Sequence, residues 1–267
     1  MSIFPPNWKP NCSPSSAPDL IPHPVRAPYL RYNPLVFILA IDTSTKAGSV
    51  ALLRDTSMLS VLSDTSDEPY SSRLFRHLDL ILQEQAVQIA QIDLYAVSAG
   101  PGSFTGLRVG LTAVKGWAEV FGKPIAPVSS LEAVAAQAHC EETLLAPVMD
   151  ARRGQVFAGL YERTSAGLRR RGDDVVMPIS EFLDLARSEA ADAPVAFVTP
   201  TPQVLRPALD QSVFRSSPVE QVSAVLAPSI GRLGWERAQR GDLVDALTLD
   251  ANYVRRSDAE LLWKDSA

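Results

Sequence analysis

Cysteine and histidine are nearly missing from this 267-residue chain, which holds two of the first and three of the second. Two thiols, Cys12 and Cys140, cannot build a disulfide framework or a cysteine-rich zinc site. The histidines, His23, His77 and His139, are scattered and form no His-x-x-x-His pair, so no metal site is expected. Positive charge is short as well: 25 Lys and Arg against 30 Asp and Glu leave a net −5. That excludes a free-standing nucleic-acid binder, which relies on a basic stripe. No apolar run is long enough to span a membrane and no secretory leader is recognisable, so the expectation is a soluble cytoplasmic protein without a membrane partner.

Apolar residues are plentiful, at 46%, enough for one large core or two modest ones. Nine of the 21 prolines fall within residues 1–34, between serines and asparagines, which predicts a disordered, extended arm. Order is expected from Leu35. Val36 to Ile41 is an unbroken apolar run of the kind that forms a buried central strand. It ends in Asp42-Thr-Ser-Thr45, a turn whose side chains can bond the nearby backbone, and returns through Gly48 to Arg54. A first strand ending in Asp and hydroxyl residues can hold phosphate, or can simply be a polar hairpin tip.

The chain is organised around Ser98-Ala-Gly-Pro-Gly-Ser-Phe-Thr-Gly-Leu-Arg108 and its continuation to Phe121. Apolar residues Leu94 to Val97 lead into a Gly-Pro-Gly turn. Positions 107, 111, 114, 118 and 121 then follow the spacing of one buried helix face. Ser103 or Thr105 can cap that helix. The spacing leaves two readings open: an anion site at the helix N-terminus, or a tight strand-to-helix connection without a ligand. Gly102, Gly106 and Gly110 recur every fourth residue, and glycine inside a helix costs roughly 0.5–1 kcal/mol relative to alanine. The compensation is a backbone that something approaches closely.

Elsewhere, 71–87 predicts a helix with Leu74, Leu78 and Ile81 inward and His77 on its charged side. Residues 131–139 predict a further helix capped by Ser129 or Ser130. This first lobe, 35–140, follows a β-β-β-α-β-α-β-α order. A second lobe, 141–267, holds strands at 144–149, 155–161 and 195–199 around the turn Asp150-Ala-Arg-Arg-Gly154. Helices are expected from Ser180, near 203–209, and from Pro228 to Gly241. Arg169-Arg-Arg171 is expected to be a solvated charge run in a loop, and Leu261 to Lys264 to pack back on a lobe or partner.

Four ordered segments carry a resemblance: Ile38-Leu-Ala-Ile-Asp-Thr-Ser-Thr45 with Gly48–Leu52, Gly100–Arg108, Met149–Gly154, and Asn252-Tyr-Val-Arg255. Together they are similar to the TsaB (YeaZ) family, over about residues 36–264. The resemblance implies a two-lobed α/β fold of the actin, heat-shock-chaperone and sugar-kinase (ASKHA) type. It also implies a non-catalytic role in making N6-threonylcarbamoyladenosine in tRNAs that read codons starting with A. The chain would bind and activate the transferase TsaD, join TsaE, and meet tRNA only through the complex. The two first-lobe helices would form the partner surface, with Leu74, Leu78, Gly102, Phe104, Gly106, Arg108 and Gly110 at the interface and the glycines clearing room for a partner's helices. Asp42, Thr43 and Ser44 would be a vestigial phosphate site. No cofactor would be required, with ATP or ADP at the complex interface and a homodimer through the same surface left open. Family members commonly carry a histidine near the start of the first helix where this chain has Tyr70-Ser-Ser-Arg73, so no role of that histidine transfers. The alternative is an ASKHA-type ATPase or small-molecule kinase using Asp42, against which the missing phosphate-loop glycines count.

Overall fold

The structure is a computed structural model that describes residues 35–254 apart from Asp67 and Asp192. The expected arm, 1–34, and the segment Leu261 to Lys264 lie outside the described residues. The apolar run becomes β1 (Phe37–Asp42), followed by β2 (Ser49–Arg54) and β3 (Ser57–Ser63). Then come α1 (Tyr70–Glu84), β4 (Leu94–Gly100), α2 (Phe104–Phe121), β5 (Ile125–Ser129) and the short α3 (Ser130–Ala135). The sheet order is β3-β2-β1-β4-β5. β1 sits at its centre, antiparallel to β2 and parallel to β4. Burial on both faces explains why β1 is apolar throughout. Leu39 and Ile41 join Tyr95 and Val97 under α1 and α2, while Ile38 and Ala40 join Ala96 on the opposite face.

The second sheet repeats this plan. β6 (Leu144–Arg152), β7 (Gln155–Thr164) and β8 (Gly167–Pro178) form an antiparallel meander, and β9 (Val195–Thr199) and β10 (Val219–Gln221) add in parallel. The order β10-β9-β6-β7-β8 is the first sheet's order written backwards. α4 (Ile179–Ala190) and α5 (Pro202–Leu209) cover its outer face with Phe182, Leu183, Leu205 and Leu209. Two such repeats facing each other make the two-lobed ASKHA fold.

The last helix corrects the division at 140/141. α6 (Ala227–Arg240), opened by Pro228 and closed by Gly241 at φ +83°, returns to the first sheet. Its Gly231 and Gly234 lie so close to the sheet that a Cβ would come within 2.4 Å of Leu53 and 2.6 Å of Ala96. α6 and α3 therefore form the layer between the sheets, and Val244 pairs with Ile125 beyond it.

Three local expectations also change. Arg169 to Arg171 lie in β8, an edge strand of the second sheet, and not in a loop. Polar residues outnumber apolar ones over its first half, which hid the strand. Ser180 does not cap α4; the N-cap is Pro178, with no side-chain bond. α1 ends at Glu84, where Ala86 takes a φ of +50°.

Candidate functional site

The end of β1 and the start of α2 are built against each other. Asp42 is wholly buried; Oδ1 accepts from the Ser44 amide at 2.9 Å and from the Ser44 hydroxyl at 2.6 Å, and Oδ2 from the Thr45 hydroxyl at 3.3 Å. Burial pushes this carboxyl above its ordinary range and those hydrogen bonds act the other way. Ser103 closes the gap: its amide donates to the Ser44 carbonyl at 2.8 Å, and its hydroxyl caps α2 by accepting from the Gly106 amide. The α2 N-terminus therefore faces a protein carbonyl and serine, not an open anion site.

The glycine line answers to the same loop. A Cβ on Gly102 would stand 2.5 Å from the Ser44 carbonyl oxygen, and one on Gly106 2.0 Å from that of Thr43. On Gly110 it would stand 2.4 Å from the Thr43 hydroxyl. The expected reason for these glycines is corrected: they clear room for the chain's own Thr43 and Ser44, not for another chain's helices. The expected phosphate site is corrected with it. Asp42, Thr43 and Ser44 are 0%, 1% and 3% exposed, so they line no opening.

The remaining expected interface residues divide between core and surface: Leu74 and Leu78 are buried, Phe104 is half-buried and Arg108 exposed. Leu74 and Leu78 lie in the core under α1, where their apolar spacing puts them. Phe104 and Arg108 meet the chain's own Tyr253, which packs 4.9 Å from the Phe104 ring; Arg108 lies over Phe104 and donates from Nε to the Tyr253 hydroxyl. Exposed apolar side chains on α1 and α2 are Phe75, Leu80 and Val120, and Phe75 meets the ring of the half-buried Trp117 edge-on. His77, expected among solvated charges, is buried, and Asp64 is its acidic neighbour at 4.0 Å.

A second constellation spans the lobes. The buried Asp174 of β8 accepts from the Tyr161 hydroxyl at 3.0 Å, the Ser129 hydroxyl at 3.1 Å and the Asn252 amide at 3.4 Å. These partners come from β7, the α3 N-cap and the C-terminal segment. Asn252 is itself tied to β4 by its backbone N–H, which donates to the Ala99 carbonyl at 2.7 Å. Burial raises Asp174 and Tyr161 alike above their ordinary values. Gly159 makes the room, because a Cβ there would reach 2.8 Å from Asp174 Oδ1. The one signal of this group in the sequence is that glycine inside a strand pattern. The group forms a wall of an interlobe cavity of 810 Å³. Among the described residues, no three His, Cys, Asp or Glu side chains gather as metal ligands, and no helix is long and apolar enough to cross a membrane.

With this geometry in hand, known proteins give a consistent answer. The family model described as TsaD: tRNA N6-adenosine threonylcarbamoyltransferase matches residues 63–225. The tRNA threonylcarbamoyladenosine biosynthesis protein TsaB of Bacillus subtilis is 29% identical over 86% of this chain and 98% of its own. The TsaB of Haemophilus influenzae is 37% identical over 45% of this chain and 51% of its own. Among solved structures, YeaZ from Pseudomonas aeruginosa superposes with a TM-score of 0.68 at 26% identity, covering 82% of this chain and 99% of that one.

Proposed function

This chain belongs to the TsaB (YeaZ) family, and from that premise we propose that it is the non-catalytic activating subunit of the assembly that installs N6-threonylcarbamoyladenosine in tRNA. One observation carries the non-catalytic reading: the loop at the end of β1 is sealed by its own bonds and by α2. A phosphate-transferring member of this fold needs that loop open, so that backbone amides and a carboxylate can face the nucleotide. Here the carboxylate of Asp42 already accepts three hydrogen bonds, and the glycines of α2 leave no gap above Thr43 and Ser44. On this reading the chain works without a nucleotide of its own.

The activating part is assigned to the outer face of α1 and α2. Phe75, Trp117 and Val120 put aromatic and aliphatic surface beside polar neighbours, the composition of an interface centre. TsaD is the proposed partner there, TsaE joins the assembly, and tRNA is reached only through it, in the cytoplasm. The test is reconstitution: TsaD turnover on tRNA is measured with and without this chain. The expected result is activation by the wild type, with at least a tenfold loss of TsaD affinity for Phe75→Asp and Val120→Asp. Unchanged affinity in both variants overturns the surface assignment, and a wild-type homodimer that outcompetes TsaD overturns the partner. Magnesium-dependent ATP turnover by the lone chain restores the kinase or ATPase alternative.

A further inference from the structure

The cavity between the lobes is absent from the role just proposed. Its 810 Å³ lies within the range of small-molecule sites, which is about 300–1,000 Å³. It opens at the carboxyl ends of the parallel strands β4 and β5, through Gly100 and Ser129, where open α/β sheets hold ligands. We propose that it binds a small metabolite through an oxyanion, carboxylate or phosphate, seated on Arg170 and Arg240.

Most of the acids around the cavity are already engaged. Asp174 already accepts from Tyr161, Ser129 and Asn252. Glu132 is held by Arg237 at 2.5 Å. Asp242 receives Arg240 Nε at 3.1 Å. Among the described residues the acid left over is Asp173, with its side chain 95% exposed, where water serves it.

The donors are a different matter. A guanidinium carries five N–H groups in a planar fork that fits carboxylate and phosphate in a bidentate manner. The carboxylates nearest Arg170 are at 3.6 and 3.9 Å, beyond hydrogen-bond distance. Beyond its Nε bond, Arg240 reaches Glu236 at 4.0 Å. Arg237, behind them, has an enclosed Nη1 with no partner. Arg170 and Arg240 are 43% and 47% exposed, so water serves their outer donors as it serves Asp173. Among the described residues the enclosed cavity donor without a partner is Nη1 of Arg237, and that group, with the two forks beside it, calls for an anion.

The strand register aims Arg170 inward. Arg170 stands opposite Tyr161, whose side chain belongs to the core between the sheets, whereas Arg171 stands opposite Leu160, which faces the outer core. The arginine run is thereby divided: Arg170 lines the cavity and Arg171 points away from it.

Calorimetry on the full chain at matched ionic strength tests this, with glycerol 3-phosphate as the phosphate probe and malate as the carboxylate probe. Saturable one-to-one binding of at least one probe is expected, and the stronger arm identifies the anion. Binding should weaken at least tenfold in the Arg170→Ala/Arg240→Ala variant and stay within twofold in Arg171→Ala. Three results overturn the proposal: no saturable binding of either probe, binding that survives in the double variant, or equal loss in Arg171→Ala. None of these readouts passes through TsaD, so the two proposals stand or fall separately.

Discussion

Gly106→Ala separates two accounts of the glycine line, because they disagree on which measurement it spoils. An added Cβ would stand 2.0 Å from the Thr43 carbonyl oxygen, 3.2 Å from its carbon and 3.3 Å from Ser103 Cβ. Non-bonded heavy atoms settle near 3.5–4.0 Å, so α2 and the loop must part by roughly an ångström or more. The obstacle is backbone in a packed layer, which cannot swing aside as a flexible side chain can. Parting also stretches the 2.8 Å bond from the Ser103 amide to the Ser44 carbonyl. Overpacking costs about 1–3 kcal/mol and a weakened hydrogen bond about 1, against a helix-propensity gain of about 1 for alanine. The net expectation is a loss of about 1–3 kcal/mol in the isolated chain, read by urea denaturation. Gly116→Ala is the control, since nothing lies within 4 Å of its Cβ position; it should gain roughly 0.5–1 kcal/mol. If Gly106→Ala is as stable as the wild type and fails only in binding TsaD, the glycines serve a partner and the own-loop account is refuted.

Three further outcomes follow from the same contacts. Gly110→Ala should cost about 1–2 kcal/mol by overpacking and much less in a Thr43→Ala background, because the obstructing atoms are the Thr43 hydroxyl and methyl at 2.4 and 3.3 Å. Additive losses in that double-mutant cycle count against the contact. Asp174→Ala should destabilise the chain by about 1–3 kcal/mol by leaving the Tyr161 and Ser129 hydroxyls and the Asn252 amide without their acceptor; an unchanged urea midpoint contradicts the interlobe role. His77 gives a pH signature. Burial holds its imidazole below the ordinary 6.5, outweighing the attraction of Asp64, with Arg76 and Arg73 acting in the same direction as burial. The unfolded chain then binds the proton at higher pH, so the contribution is complete above pH 6.5 and drains away as pH falls through that value. Comparing urea midpoints at about pH 7.5 and 5.5, the wild type should lose more stability than His77→Gln.

Much of the fold was legible because burial wrote it into the sequence with a clear period. β1 is a continuous apolar run because both faces are covered, and α2 shows its inward positions at 107, 111, 114 and 118 for the same reason. β8 was not legible: its first half lies at a sheet edge and carries Arg169 to Asp173, so alternation is masked by solvent-facing charge. The return of α6 to the first sheet was hidden because helix periodicity tells that a face is buried, not against what. Leu74 and Leu78 show the converse error, in which core spacing stood in for an interface. The glycine line was read correctly as close approach and wrongly as to the neighbour, since a missing Cβ does not name what fills the space. Asp174 was invisible because its donors lie 13, 45 and 78 residues away.

The repeated topology extends the argument about Asp42. Each sheet begins with a strand that carries an aspartate close to its hairpin: Asp42 closes β1, and Asp150 lies two residues before the end of β6. Here both carboxylates are engaged by their own turns. Asp42 is bound by Ser44 and Thr45, and Asp150 accepts from the Arg152 amide at 2.7 Å and pairs with the Arg152 guanidinium at 3.2 Å. Arg152, Arg153 and Gly154 all adopt positive φ to make that second turn, a conformation that non-glycine residues take at a cost. Opening either tip for a nucleotide means breaking these bonds, and opening the first also means lifting α2 from Thr43. A role in which the chain presents a surface to a catalytic partner asks for neither change.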